Sequence, residues 1–230
     1  IWFPDMVFAA IKHCPVIGGT LVSTPAKPSG AIAVVPCKAS DNRGIVVAGS
    51  LNAVAVVASN TWTAKNLAQS LSVNWKLPPS TASVDSAQLS TQAQALLTSS
   101  GQALTAEPAG TGSPLTQTAA VEPGVLAALG TPTVDAVYTL PYLAHATMEV
   151  LNCSVRLSYD TAGTIITKCE MWAPTQAANW AAGTAAALIN EVQPANPIPF
   201  TNVIVNTTYL GGGLGRKIEQ DYISQAVQVA

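Results

Sequence analysis

Leu210-Gly211-Gly212-Gly213-Leu214-Gly215-Arg216 follows the apolar run Val203-Ile204-Val205-Asn206-Thr207-Thr208-Tyr209 and leads into Lys217-Ile218-Glu219-Gln220-Asp221-Tyr222. The pattern predicts a strand that feeds a glycine-rich turn, which in turn opens a helix. Glycine tolerates the backbone angles of such a turn, and bare N–H groups then converge where an anionic or oxo ligand can sit against main chain. A tight strand-to-helix turn with no ligand is the alternative, although four glycines in five positions exceed what a turn alone requires. Nucleotide binding fits poorly. Arg216 stands where the dinucleotide fingerprint wants Gly or Ala, and no G-x-x-x-x-G-K-[ST] loop is present. A hydrolase fits no better, because neither His13 nor His145 sits in a nucleophile elbow.

Upstream of the turn, Gln176 to Asn190 is alanine-rich and predicts a helix with Trp180, Ala181, Thr184, Ala187 and Leu188 on one side, ended by Pro194, Pro197 and Pro199. Asn152 to Ser158 and Thr164 to Trp172 read as two strands joined by the turn Asp160-Thr161-Ala162-Gly163, and Ala136 to Leu140 as a strand broken by Pro141. Downstream of the turn, Ile218, Tyr222, Ile223, Ala226, Val227 and Ala230 mark the inner face of an amphipathic helix. Cys153 and Cys169 flank the Asp160–Gly163 turn almost symmetrically, which in a hairpin sets them nearly opposite each other, either bridged or as two buried thiols. No C-x-x-C pair occurs among Cys14, Cys37, Cys153 and Cys169, which argues against a structural zinc site.

In the N-terminal third, Met6 to Lys12, Ala31 to Val35, Gly44 to Ala48 and Ala53 to Ala58 are short β-rich runs that predict a small sheet. Asn60 or Thr61 caps a helix carrying Trp62, Ala64, Leu67, Ala68 and Leu71 at helical spacing, which hands over to a strand at Leu71–Trp75. Residues 1–79 thus read as a compact α+β domain. Residues 80–132 shift to Ser, Thr, Ala, Gln, Gly and Pro with almost no charge. They read as a connection that wraps between domains, with a helix possible at Ser86–Leu97 and an extended stretch from Thr98 to Pro123. Residues 133–230 form a second α+β region.

The chain of 230 residues is 49% hydrophobic, ample for a core, and only 10% charged. The usual charged share is roughly 25%, so part of the surface is expected to be covered by other protein. A net charge of -2 without Lys/Arg clusters argues against nucleic acid and anionic lipid as partners. No apolar run reaches the length of a membrane span. The opening Ile1-Trp2-Phe3-Pro4 has no basic n-region, and so reads as a mature product or a piece of something longer.

Three blocks now stand in order: Leu140-Pro141-Tyr142-Leu143-Ala144-His145-Ala146-Thr147-Met148-Glu149-Val150-Leu151-Asn152-Cys153, Met171-Trp172-Ala173-Pro174-Thr175-Gln176, and Gly211 to Arg216. Together they resemble the molybdopterin-binding large subunit of the xanthine dehydrogenase superfamily, in the branch of the isoquinoline 1-oxidoreductase beta subunit and related aldehyde dehydrogenase subunits. The family's blocks read "PYLAHATMEPLNC", "WAPTQ" and "GGGFGRR". Met6 to Pro15 and Val54 to Trp75 resemble that branch's α/β hammerhead region. Val150 replaces the usual proline, and Leu214 the usual phenylalanine that shapes the pocket wall.

The resemblance implies a hammerhead-like domain at 1–79, followed by the N-terminal part of a molybdopterin-binding domain. It implies water-derived hydroxylation of an N-heterocycle or aldehyde, with molybdopterin cytosine dinucleotide and molybdenum as cofactor. Gln176 matches the glutamine that approaches an oxygen ligand of the metal. Gly212, Gly213, Leu214 and Gly215 match the loop beside metal and pterin, with Arg216 next to them. Implied partners are the remaining molybdopterin-binding portion, an iron–sulfur small subunit and a cytochrome c subunit. The implied location is the periplasm or the periplasmic face of a membrane, with the cytoplasm as alternative. The family's catalytic glutamate lies beyond the stretch that ends at Ala230, so the chain alone is expected to form an incomplete active site. A rival expectation is a non-catalytic fragment or assembly subunit with the family fold and no metal.

Overall fold

The computed structural model describes residues 2–40, 46–79, 85–97, 103–105, 116–118 and 136–230. The fold is α+β. Ile1–Pro79 and Ala144–Ala230 together make one compact unit, and Ser80–Leu143 makes a second.

In the first unit, strands β1 (Phe8–His13), β3 (Ala33–Ser40) and β4 (Val46–Ala58) form an antiparallel sheet in the order β1-β4-β3. The short pair β2 (Thr20–Leu21) and β5 (Trp75–Lys76) forms its own ladder, with Leu21 and Trp75 packed against the Val54 and Val56 side of that sheet. Gly44–Ala48 and Ala53–Ala58, expected as separate strands, belong largely to the single strand β4. Pairing with β3 runs as far as Ser40 opposite Val46, and register shifts on either side of Lys38 absorb the offset that the sequence pattern suggested was a break. Of the strand expected at Leu71–Trp75, only Trp75 is in a strand, the two-residue β5.

Helix α1 (Thr61–Ser70) starts where Asn60 Oδ1 accepts the Thr63 N–H at 2.8 Å, an N-cap bond. Ala64 and Ala68 face the sheet, whereas Trp62, expected on the same face, is 74% exposed. Two residues along a helix turn the side chain by about 200°, so Trp62 lies on the face opposite Ala64.

A second sheet has the order β10-β9-β8, from β8 (Ser154–Tyr159), β9 (Ile166–Ala173) and β10 (Val203–Thr207). β8 and β9 form the expected hairpin, closed by Asp160, whose Oδ1 accepts the N–H groups of Thr164 and Ile165. Its register sets Leu157 opposite Cys169, and Cys153 lies just ahead of the strand. The two cysteines are therefore four positions apart along the ladder, beyond the roughly 6 Å between Cα atoms that a disulfide spans, and both thiols are free.

β10 pairs with β9 in parallel, and helix α3 (Ala178–Val192) makes the crossover. Ala181, Ala182, Thr184, Ala185, Ala186, Leu188 and Ile189 are buried. Trp180 and Ala187, expected inside, face out. The core of this half joins Met171, Ala173, Ile189, Ile198 and Val203 to Tyr222, Ile223 and Val227 of helix α4 (Asp221–Val229). Ile218 and Ala230, expected on the inner face, are exposed. Val229 packs on Cys37, Ala53 and Ala55, so α4 also closes the first sheet. His13 Nε2 with Gln225 and the Lys38 N–H to Gln228 Oε1 at 2.7 Å add polar ties between the same elements.

In the second unit, α2 (Ser86–Leu97) forms where expected, and β6 (Ala103–Thr105) pairs with β7 (Thr116–Thr118). Most of the stretch from Thr98 to Pro123 expected to be extended lies outside the described residues. Ala136–Leu140 forms no strand, and its residues are exposed. No helix among the described residues is long and apolar enough to cross a membrane.

Candidate functional site

Parallel pairing of β9 and β10 decides where the sequence blocks meet. The last paired residues are Ala173 and Thr207, so the loops that follow both strands leave the sheet side by side at the carboxyl end. That end of parallel strands is where α/β sheets present ligand sites. Pro174-Thr175-Gln176 leaves from β9 and Thr208 to Gly215 from β10. The Thr208 N–H returns to the Ala173 carbonyl at 3.2 Å, holding the two exits together.

Gly213 is buried and its main chain runs against Gln176. A Cβ at position 213 would lie 2.5 Å from Gln176 Oε1, 2.8 Å from its Cδ and 2.9 Å from Leu210 Cδ2. Only a glycine allows that approach without displacing a side chain. The third block arrives from the other side. Gly211 and Glu149 exchange hydrogen bonds: the Glu149 N–H donates to the Gly211 carbonyl at 3.0 Å, and the Gly211 N–H to Glu149 Oε2 at 2.9 Å. Gly212 lies over Thr147, with φ +95°. The three blocks, separated in sequence by up to 62 positions at the Gly211–Glu149 contact, therefore meet at one place.

Backbone conformation marks the same place. Leu214 has φ +52° and Ala146 φ +44°, two of only three non-glycine residues among those described with positive φ. Left-handed backbone costs an ordinary residue roughly 1–2 kcal/mol, and such strain gathers at functional segments. Gly212 and Gly215 also have positive φ. A run of such angles leaves main-chain N–H groups exposed to an anion or oxo group. Among the described residues, none accepts a hydrogen bond from the N–H of Gly212, Gly213, Leu214 or Gly215.

The chain does not pass directly from the turn into a helix. A 3-10 turn, Arg216–Ile218, intervenes, closed by the Arg216 N–H to Gly213 and the Ile218 N–H to Gly215, and α4 begins only at Asp221. The donor set is thus the turn itself and not a helix N-terminus, which corrects the expectation from the sequence pattern.

Of the predicted site residues, Gln176, Gly212 and Gly213 line the junction. Leu214 turns its side chain outward, 71% exposed. Gly215 opens to free space, and Arg216 is engaged elsewhere: its guanidinium donates to both Asp221 carboxylate oxygens at 2.8 and 2.6 Å, which raises its pKa. His145 is exposed.

Lys217 was not singled out by the sequence. It is fully buried, and its Nζ donates to Glu149 Oε2 at 2.6 Å. That bond, followed by the one from Gly211, holds the Glu149 carboxyl below its ordinary pKa. The Lys217 carbonyl accepts the Gln176 N–H at 3.0 Å and the Thr175 hydroxyl at 3.3 Å. Behind them, Tyr222 donates its hydroxyl to the Pro174 carbonyl at 3.2 Å, and burial pushes its pKa up to about 12. A basic residue after a glycine turn looks like a solvated charge in sequence, and no local pattern separates the buried case. No group of three or more His, Cys, Asp or Glu residues among those described is arranged to hold a metal ion directly. Comparison with known proteins finds no matching family model and no matching curated protein.

Proposed function

We propose that this chain forms one wall of a molybdenum hydroxylase active site, as part of a molybdopterin-binding subunit resembling the isoquinoline 1-oxidoreductase beta subunit. The observation that supports this reading is the approach of Gly213 to Gln176, at the point where the Glu149 block also converges. Three segments that carry the resemblance separately have one spatial reason to occur together.

The residues suit the cofactor by chemistry. The main-chain N–H groups of Gly212 to Gly215, which meet no acceptor among the described residues, would hold oxo or pterin acceptors, and the Gln176 amide would donate to an oxygen at the metal. When bound, the molybdenum cofactor supplies the redox chemistry by which an N-heterocycle or aldehyde gains a water-derived oxygen. The chain's own contribution would be positioning: neutral donors presented by the turn and by Gln176, whose side chain lies against Gly213. The remaining molybdopterin-binding portion would supply the other walls, an iron–sulfur subunit and a cytochrome c subunit would take the electrons, and the periplasm is the proposed compartment.

The test is molybdenum and pterin analysis of the complex purified from its native source. About one equivalent of molybdenum is expected, and Gln176→Ala should lower activity about 10- to 100-fold, as loss of a group that orients a metal site does. A native complex without molybdenum would sink the proposal in favour of a non-catalytic assembly subunit.

A further inference from the structure

We infer that Glu149 and Lys217 are positioning residues of this site: their ion pair sets the main chain of Gly211–Gly213 against Gln176. The functional meaning rests on the reading above, while the geometry stands on its own. Lys217 reaches both walls at once. Its ammonium holds Glu149, which receives the Gly211 N–H on the same oxygen, while its carbonyl holds Gln176 and Thr175. Moving residue 217 therefore moves the turn and the glutamine together.

The pair ties residue 217 to the turn through one carboxylate oxygen. An ammonium has three protons to donate, and burying it costs several kcal/mol unless its surroundings satisfy them. Among the described residues, the Lys217 Nζ has one hydrogen-bond acceptor, Glu149 Oε2. That acceptor is the same oxygen that receives the Gly211 N–H, so the charge pair acts directly on the turn. Steric fit points the same way. Glu149 Cβ would lie 2.5 Å from a Cβ at position 211, so the glycine and the glutamate stem are fitted to each other.

The experiment is amide hydrogen exchange, resolved by residue, on the 230-residue chain in three variants. Lys217→Met keeps the volume and removes the ammonium. Glu149→Gln keeps an acceptor for the Gly211 N–H and removes the charge. Arg156→Ala is the control, since it breaks the Arg156–Glu170 pair on β8 and β9, away from the turn. Exchange at Gly211 and Gln176 should quicken about tenfold or more in Lys217→Met, the factor expected when a charge-assisted bond that holds a segment is lost. A smaller change in the same direction is expected in Glu149→Gln, and none in Arg156→Ala.

Uniform quickening across α3 and β9, or no local change in Glu149→Gln, would overturn the inference and leave the pair as ordinary structure. In the native complex, the positioning role further requires Lys217→Met to lower kcat with KM nearly unchanged. Because exchange does not depend on metal content, local quickening in a complex that lacks molybdenum would refute the proposed function and keep the geometric role.

Discussion

Gly213 and Gln176, from loops that follow neighbouring parallel strands, are packed so closely that a methyl group on Gly213 would sit 2.5 Å from the glutamine side-chain oxygen. Gly213 has no positive φ, so alanine is conformationally allowed there, and the colliding group is the far end of a flexible side chain. Gly213→Ala should therefore displace the Gln176 amide at a stability cost of about 1 kcal/mol or less. The expected pattern is a near-normal melting temperature with activity of the complex reduced as far as in Gln176→Ala. A large drop in melting temperature would mean that Gln176 cannot move, contrary to this account.

Gly211 gives the opposite balance. A Cβ there would lie 2.5 Å from Glu149 Cβ, an atom fixed to the main chain that itself bonds Gly211. Neither side can yield without breaking the paired hydrogen bonds. Gly211→Ala should lose about 1–3 kcal/mol, the range for forced overpacking, as measured by urea unfolding. A loss equal to or below that of Gly213→Ala would contradict the contact.

Much of this arrangement was legible in the sequence, and the limits have physical causes. Asn60 capping, the Asp160–Gly163 hairpin and the alanine-rich helix are local, so spacing and turn chemistry suffice to place them. The three blocks also meet in space, where Gly211 bonds Glu149 and Gly213 lies against Gln176. Which elements would bring them together was not legible, because parallel pairing of β9 with β10 is a long-range choice that leaves no mark on either strand. Faces were misread where Trp62 and Trp180 outweighed alanine in the periodicity, since hydrophobic size says nothing about how close the helix must come. Lys217 was invisible for the reason that makes it informative: burial of a lysine depends on a carboxylate 68 positions away.

The cysteines offer a check on the hairpin register. Cys37, Cys153 and Cys169 have thiol pKa values raised by burial to about 11, 12 and 11. At about pH 8 these groups are protonated and poor nucleophiles. Cys14 is only partly buried, with its sulfur against Gly19. Iodoacetamide should therefore modify Cys14 first in the folded protein, and all four cysteines after denaturation without reductant. Recovery of only two thiols from denatured, non-reduced protein would restore the Cys153–Cys169 bridge that the register excludes.

Acid should open the site through Glu149. Its carboxyl is held below the ordinary value of 4.5 by the Lys217 ammonium and then by the Gly211 N–H. Glu170 is lowered by Arg156 and then Lys168, and Asp160 by the N–H groups of Ile165 and Thr164. In each case the folded state binds protons less readily than the unfolded chain. These groups thus contribute fully above the unfolded carboxylate range, and their contribution is lost as pH falls through the folded values. Thermal unfolding should change little on their account between about pH 7 and pH 5, then drop as the pH goes below about 4.5. Glu149→Gln carries no titrating group at this position, so its deficit against the natural sequence should narrow over that acid range. A deficit that stays constant to the lowest pH at which both proteins fold would show that the Glu149 charge does not hold the turn.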